Sequence, residues 1–249
     1  MRGRTLLVTG GSRGIGAAIA TIAASRGWRV AVNYASNEAA ATALVRSIGK
    51  AGGEAIGIKG DVGVEADVLR LFEAVDAAFG SLDALVNNAG VVDRKARVDE
   101  MSAARIERMM RANVIGSFLC AREAVRRMST RHGGRGGAIV NVSSVAAVHG
   151  SPGEYVDYAA SKGAIDSFTV GLAREVADEG IRVNAVRPGI VATEIHASGG
   201  QPDRIERLRG LVPMKREGEA HEVAHAILWL LSDEASYTTG AILNVSGGR

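Results

Sequence analysis

Residues 5–23 read TLLVTGGSRGIGAAIATIA, a glycine-rich turn between an apolar run and an amphipathic segment. The apolar run at 5–9 predicts a first strand. Apolar residues then recur at helical spacing, at Ile15, Ala18, Ile19, Ile22 and Ala23. Glycine permits a tight turn and close backbone approach, and the free N–H groups that begin a helix attract phosphate. The spacing is G-x-x-x-G-x-G rather than the commoner G-x-G-x-x-G. Its position between strand and helix still predicts a nucleotide-binding site.

The alternation of strand and helix continues to the end of the chain. Further strands are predicted at 29–33, 55–59, 84–86, 138–142, 182–186 and 241–245. Helices are predicted after Asn37, which serves as an N-cap, and at 66–79, 103–128, 158–179 and 219–231. Several strands lack polar alternation, as expected when a parallel sheet is covered on both faces. The pattern predicts one α/β domain over 1–249, a Rossmann-type doubly wound parallel sheet.

The periodicity breaks at residues 192–214. Glycine and proline interrupt the segment at Gly199, Gly200, Pro202 and Pro213. A loop of that length in a compact domain is usually functional or mobile, and we therefore expect a flexible substrate lid here. The segment also carries polar residues, namely Glu194, His196, Gln201 and Asp203, which suggest a fairly polar substrate.

Composition excludes several classes of protein. Apolar residues make up 47% of the 249 and charged residues 23%, as in globular rather than disordered chains. The net charge of +3 comes from scattered residues, so nothing supports nucleic-acid binding. Cys120 is the only cysteine and sits in an apolar segment, which predicts a core position and suits a reducing cytoplasm. The chain starts almost directly with a strand and has no apolar run approaching 18 residues, so we expect a cytoplasmic protein.

The end of the second predicted strand bears on the choice of cofactor. An NAD site usually places a carboxylate there, on the ribose 2′-hydroxyl. This chain has Asn33 instead and no acid before Glu38. Arg13, in the glycine-rich turn, could reach a 2′-phosphate. The combination favours NADP, with NAD as the alternative.

Tyr158 and Lys162 lie four residues apart in a predicted helix, so they share one face. A free tyrosine has a pKa of about 10 and exchanges protons poorly at neutral pH. A nearby ammonium favours the phenolate, and lowering the pKa by about two units takes roughly 3 kcal/mol. Ser144 ends an apolar run just upstream. The pair therefore predicts a tyrosine that works as an acid and base.

With these motifs the chain resembles the short-chain dehydrogenase/reductase family over almost its whole length. The motifs are Thr9 to Gly16 (TGxxxGxG), Asp61 in GDV, Asn87 to Gly90 (NNAG), Asn113 in ANVIG, the Ser144, Tyr158 and Lys162 set, and Arg187 to Ile190 with Thr193. The resemblance looks closest to glucose 1-dehydrogenase-like and oxoacyl-carrier-protein reductase-like members. That level of resemblance carries little information about the substrate.

The resemblance implies an NAD(P)-dependent oxidoreductase that moves a hydride between nicotinamide and a carbonyl or secondary alcohol. It implies a catalytic tetrad of Asn113, Ser144, Tyr158 and Lys162. Tyr158 would exchange a proton with the substrate oxygen and Ser144 would hydrogen-bond the same oxygen. Lys162 would lower the tyrosine pKa and bind the nicotinamide ribose, and Asn113 would hold a water that links Lys162 to solvent.

The resemblance also implies where the cofactor binds. Asp61 and the N–H of Val62 would face adenine, the NNAG motif would lie beside the cofactor, and the segment after Arg187 would hold the carboxamide. The full set is Gly10, Ser12, Arg13, Gly14, Ile15, Gly16, Asn33, Asp61, Val62, Asn88, Ala89, Gly90, Tyr158, Lys162, Pro188, Gly189, Ile190 and Thr193.

The family's assembly implies a homotetramer here. Relatives pair through the helices that correspond to 103–128 and 158–179 and through the C-terminal region. Trp229, Leu230 and Ile242 would supply apolar contacts in this chain.

The spacing of Ser144 and Tyr158 departs from the family pattern. They are fourteen positions apart, one more than in many relatives, with the addition placed at 150–154. That loop is expected to overhang the substrate. Four residues are candidates for lining the pocket, namely His149, Glu154, Tyr155 and His196.

Two rival functions have a basis in the sequence. Residues 221–225 spell HEVAH, the zinc-protease signature H-E-x-x-H. We reject a metal site, because Val223 must face the sheet and leaves His221, Glu222 and His225 on the polar side of the helix. The second rival is a non-catalytic NADP-binding sensor. It is disfavoured because a sensor has no need of an intact proton-transfer system.

Overall fold

A parallel sheet forms the centre of the structure, a computed structural model that describes residues 3–194 and 198–249. Over those residues the sheet has seven strands in the order β3-β2-β1-β4-β5-β6-β7, and every pairing is parallel. The strands are β1 Thr5–Val8, β2 Arg29–Tyr34, β3 Glu54–Lys59, β4 Ala84–Asn87, β5 Gly137–Val142, β6 Ile181–Pro188 and β7 Ile242–Val245. The predicted doubly wound α/β fold is confirmed.

Helices cover both faces of the sheet. In the described part of the chain they are α1 Gly14–Ser25, α2 Glu38–Lys50, α3 Glu65–Phe79, α4 Ala103–Met110, α5 Gly116–Met128, α6 Ala146–His149, α7 Val156–Glu175, α8 Arg204–Arg209 and α9 Ala220–Leu231. Asn37 caps α2 as predicted, since its side chain accepts the Ala40 N–H at 3.0 Å. None of these helices has both the length and the apolar character that crossing a membrane requires.

Two apolar cores lie on opposite faces of the sheet, which explains why its strands lack polar alternation. Leu6 and Val8 of β1 point into one core, with α1 and α9, while Leu7 points into the other, with α3 and α5. Cys120 is fully buried in the second core, as predicted, and burial raises the pKa of its thiol to about 12. A fully buried leucine contributes about 1.5–3 kcal/mol, so both faces stabilise the sheet.

Three predicted segments differ from the structure. The single helix expected at 103–128 is interrupted by a π-helical turn at Arg111–Ile115, between α4 and α5. The helix expected at 158–179 begins earlier, at Val156, and ends at Glu175 before a 3-10 turn. The loop expected at 192–214 contains α8, because a run of good helix formers there packs on a neighbouring loop.

The sheet topology decides where a ligand can bind. Neighbouring strands β1 and β4 connect to helices on opposite faces, and such a switch point leaves a crevice at the carboxyl ends of the strands. The glycine-rich turn follows β1, the NNAG motif overlaps the end of β4, and Ser144 follows β5. The fold therefore gathers the predicted motifs at one edge of the sheet.

Candidate active site

The glycine-rich turn is shaped by close backbone contacts. Gly10 has a φ of +58°, and a Cβ there would lie 2.8 Å from Ala89 Cα. A Cβ on Gly16 would lie 2.6 Å from Gly10 O and from Asn88 Nδ2, so no larger residue fits without a shift. Helix α1 then begins at Gly14 without a side-chain cap. Its first N–H groups are left available to an anionic ligand.

Hydrogen bonds lock this turn to the NNAG motif. The Thr9 hydroxyl accepts the N–H groups of Asn88 and Ala89, each at 3.0 Å. The Asn88 side chain donates to Thr9 O and Gly10 O, each at 2.9 Å. The two motifs therefore form one rigid floor across the switch point.

Asn33 is oriented differently from the sequence interpretation. It is buried, its Oδ1 accepts the Gly10 N–H at 3.2 Å, and its Nδ2 donates to Gly60 O at 2.9 Å. Its side chain is thus engaged with the backbone of the turn and of the segment after β3. Arg13 is exposed in the same cleft, and Ser36 also lines it.

The cofactor residues predicted from the sequence lie along one continuous crevice. A cleft of about 420 Å³ is lined by Gly10, Ser12, Arg13, Gly14, Ile15, Asn33, Asp61, Val62, Asn88, Ala89, Gly90 and Thr193, among others. A smaller space of about 100 Å³ adjoins it, and its lining includes Ser144, Tyr158, Lys162, Pro188 and Gly189. Gly16 lies behind the cleft wall, where it packs the turn, and Ile190 lines the next space. The first turn of α1 has no side-chain cap and follows the glycine-rich turn, an arrangement that fits the phosphates of a dinucleotide.

The four predicted catalytic residues come together from three elements. Lys162 Nζ lies 5.6 Å from the centroid of the Tyr158 ring and donates to Val142 O at 2.7 Å. Ser144 and Tyr158 line the same small space. A Cβ on Gly90 would lie 3.4 Å from Asn113 Oδ1 and 3.5 Å from Lys162 Nζ, so these two side chains flank the same glycine.

Burial dominates the electrostatics of this site. Tyr158 is partly exposed, and it lines the small space that also contains Ser144 and Lys162. Burial raises the pKa of Tyr158, while the neighbouring Ser144 hydroxyl and the charge of Arg204 act in the opposite direction. Burial also lowers the pKa of Lys162 to about 8, against an opposing effect of Asp166. The predicted lowering of the tyrosine pKa by Lys162 is therefore wrong, because burial raises that pKa and the Lys162 ammonium donates to Val142 O.

Asn113 lies in the π-helical turn, a feature often found at functional sites. Its Oδ1 accepts the Val91 N–H at 2.7 Å, and its Nδ2 donates to Val91 O at 3.0 Å and to Ser161 Oγ at 3.1 Å. The side chain thus anchors the loop after β4 to the turn of α7 that carries the tyrosine. Its role in holding a water beside Lys162 stays a prediction.

A second space of about 100 Å³ opens on the substrate side of Tyr158. Its other lining residues are Val92, Ser144, Val145, Ala146, His149, Ser151, Tyr155, Gly189, Ile190, Arg204 and Arg249. His149 and Tyr155 were predicted and line this space, as does Ser151 of the 150–154 loop, whereas the predicted Glu154 does not. Val92, Arg204 and Arg249 were missed, because they come from separate segments and share no local sequence signal. His196 lies outside the described residues.

Residues of the segment expected to form a lid make contacts that the sequence interpretation did not foresee. Glu194 lines the cofactor cleft, while Gln201 is buried and donates to the Tyr155 hydroxyl. Arg204 pairs with Glu154 and lies 5.0 Å from the Tyr155 ring centroid. The inference of a polar substrate from Glu194 and Gln201 is therefore unsupported, since neither side chain lines the substrate space.

The H-E-x-x-H segment has its own contacts at the start of α9. Glu222 accepts two hydrogen bonds from Arg216, at 2.6 and 2.7 Å, and caps the helix through the Glu219 N–H. These contacts lower the pKa of Glu222 to about 2. His225 Nδ1 lies 3.0 Å from the Arg26 guanidinium. A carboxylate so engaged is a poor general base, which agrees with the rejection of the protease reading.

Comparison with known proteins adds independent findings. Residues 10–249 match a family model described as enoyl-(acyl carrier protein) reductase. The chain is 56% identical over 243 residues to the oxidoreductase YgfF of Escherichia coli strain K12, with 98% of each chain covered. It is 39% identical to glucose 1-dehydrogenase 2 of Bacillus subtilis strain 168, over all of this chain and 95% of the relative. A crystal structure of a short-chain dehydrogenase from Burkholderia cenocepacia J2315 in complex with NADP superposes with a TM-score of 0.91 at 34% identity, covering 99% of this chain and 98% of that one.

Proposed function

The chain belongs to the short-chain dehydrogenase/reductase family of NAD(P)-dependent oxidoreductases, which act on CH–OH or carbonyl groups, and we propose that Tyr158 is its acid and base. One observation carries the proposal: Tyr158 shares a small space with Ser144 and with Lys162, whose pKa burial lowers to about 8. A pure sensor would not require this arrangement.

The chemistry divides among three side chains. When bound, the nicotinamide supplies or accepts the hydride. Tyr158 gives a proton to the carbonyl oxygen in reduction, or removes it from the alcohol in oxidation. Ser144 donates a hydrogen bond to the same oxygen, where negative charge develops. Lys162, with a pKa of about 8, is matched to proton exchange near neutral pH and can resupply the tyrosine through a relay.

We propose that the cofactor is NADP rather than NAD. Arg13 is exposed in the cleft, and β2 ends in Asn33 and Tyr34 without a carboxylate to oppose a 2′-phosphate. An arginine fork is the side chain best suited to bind a phosphate group. The structural relative solved with NADP supports this choice.

Replacing Arg13 tests the cofactor proposal. Arg13→Ala should weaken NADP about tenfold to a hundredfold, the cost of a lost charge-assisted pair, and leave NAD nearly unchanged. Arg46→Ala, which removes an exposed arginine from α2, is the matched control. Dissociation constants from fluorescence titration decide the matter. Equal affinity of the wild type for both cofactors, or equal losses in Arg13→Ala, would contradict the proposal.

Asn33→Asp, which would supply the carboxylate usual in an NAD site, is a poor probe of the same preference. In the wild type Asn33 Nδ2 donates to Gly60 O. An aspartate carboxylate at this position would face that carbonyl oxygen and could not form the hydrogen bond. We expect this variant to lose stability before it changes selectivity.

The substrate space favours a compound with both apolar and polar parts. Val92, Val145 and Ile190 line one part of it, and His149 and Arg204 add polar groups. We propose that the segment 192–214, of which residues 195–197 lie outside the described part of the chain, acts as a lid over this space, because Arg204 of α8 pairs with Glu154 of the 150–154 loop. Measuring NADPH or NADP turnover with sugars, oxoacyl thioesters, steroids and small ketones would identify the substrate class.

We propose a homotetramer, supported by exposed apolar side chains on the expected contact helices. Phe118 of α5 is 48% exposed and stacks on Phe168 of α7 at 3.8 Å, and Trp229 of α9 is 40% exposed. Leu230, expected to contribute, is 1% exposed in the core and cannot. Light scattering should give four times the chain mass of 25.8 kDa. Phe118→Glu should reduce that mass, whereas Val98→Glu, at another exposed apolar position, should not. A monomeric wild type at micromolar concentration would contradict this.

A further inference from the structure

A buried ion pair lies directly behind the catalytic helix. Arg105 of α4 and Asp157 of α7 have side chains 9% and 2% exposed. The guanidinium meets the carboxylate with both prongs, Nε to Oδ2 at 2.8 Å and Nη2 to Oδ1 at 3.2 Å. Burying two charges is rarely a net gain in stability compared with apolar packing. Stability alone therefore gives little reason for this pair.

Asp157 precedes Tyr158 and controls how its helix begins. Its Oδ1 accepts the Tyr158 N–H at 2.9 Å, in the first turn of α7. The residue at the N-cap position, Tyr155, provides no side-chain cap. Asp157 is thus the side chain that satisfies the backbone N–H of the catalytic tyrosine. Its orientation is set in turn by Arg105.

Arg105 also reaches the loop that borders the substrate space. Its Nη1 donates to Arg94 O at 2.6 Å. Two residues before Arg94, Val92 lines the space next to Tyr158, and Asn113 holds Val91. One guanidinium therefore connects the start of the catalytic helix with the wall that faces the substrate.

We propose that Arg105 and Asp157 are positioning residues. They hold the Tyr158 hydroxyl at the correct position relative to Ser144 and to the loop after β4 that borders the substrate space. Neither side chain lines the space that contains Ser144 and Tyr158. They act through α7 and the loop after β4. The inference rests on the proposed role of Tyr158.

The test separates rate from binding and from folding. Asp157→Ala removes the ion pair and the N–H acceptor, and kcat should fall about tenfold to a hundredfold, because a misplacement of 1 Å can cost that much. The dissociation constant for NADP should stay within about twofold, since neither side chain lines the cofactor cleft. Asp157→Asn, which keeps an acceptor for the Tyr158 N–H, should recover part of the loss. Arg105→Lys, which keeps the charge without the fork, should lose less than Arg105→Ala.

Asp76→Ala is the control, because it breaks an arginine–carboxylate pair with Arg127 between α3 and α5, which is more exposed than the Arg105–Asp157 pair and lies away from the site. It should lower the Tm and leave kcat unchanged. All variants are assayed well below their Tm. If Asp157→Ala does not fold, Asp157→Asn and Arg105→Lys decide the matter through their kcat.

Two results would overturn the inference: folded variants with kcat within twofold of wild type, or a kcat loss in Asp76→Ala as large as in Asp157→Ala. Tyr158→Phe distinguishes the two levels of the argument. If Tyr158→Phe stays active, the proposed function fails. If Tyr158→Phe is inactive while the Asp157 and Arg105 variants keep full kcat, only the positioning inference fails.

Discussion

Tyr158→Phe should lower kcat by a factor of about 10²–10⁴, the usual contribution of positioned proton transfer. The phenyl ring keeps the packing in the cleft and loses only the hydroxyl that shares the small space with Ser144. The substitution removes no other atom from the cleft, so the affinity for NADP should change little. Steady-state kcat and fluorescence titration with NADPH measure the two quantities.

Tyr155→Phe is the matched control for this variant. It removes a hydroxyl three residues earlier, one that accepts a hydrogen bond from Gln201. We expect kcat to stay within a few-fold of wild type, with any effect falling on KM. A Tyr158→Phe variant that keeps more than about a tenth of wild-type kcat would show that another group transfers the proton.

Lys162→Met should abolish most of the activity and weaken the binding of the cofactor. The same substitution should stabilise the folded chain against unfolding. Burial lowers the pKa of Lys162 from 10.5 to about 8, so below pH 8 the folded state bears the full cost of a buried ammonium. The difference corresponds to about 3 kcal/mol. The lost hydrogen bond to Val142 O offsets about 1–3 kcal/mol of that gain. A modest net stabilisation at pH 7 should remain.

The sign of the pH dependence provides a sharper measurement. The unfolded chain binds more protons at Lys162 between pH 8 and 10.5, so wild-type stability should rise with pH across that window. Tyr158, whose pKa burial raises, acts in the opposite sense only above about pH 10. Urea unfolding of the apoprotein at pH 7, 8 and 9.5 should show the rise in wild type and lack it in Lys162→Met.

The rate profile gives a second view of the same lysine. The rate of the wild type should change with pH near pH 8, where Lys162 titrates. The residual rate of Lys162→Met should show no such change. The same change in the rate of the variant, or wild-type stability that falls between pH 8 and 9.5, would contradict the assignment of a pKa of about 8 to Lys162.

Local patterns predicted the elements that depend on local physics. The apolar run before Gly10 and the cap at Asn37 each need only neighbouring residues, and both were read correctly. The π-helical turn at Arg111–Ile115 was not predicted from the sequence. It changes the hydrogen-bonding pattern of the backbone, while the spacing of the apolar residues remains that of a helix. Leu230 was misplaced for a related reason, since spacing alone does not say which apolar residues of α9 meet the sheet.

The sequence by itself determined the fold, the family and the identity of the candidate catalytic set, because these follow from periodicity, turn chemistry and short spacings along the chain. Only the tertiary structure decided what surrounds those residues. Asn33 turns to Gly10 and Gly60, Lys162 donates to Val142 O, and Arg105 supports Asp157 behind Tyr158. A pKa depends on burial and on partners from distant segments, and both exist only once the whole chain has packed.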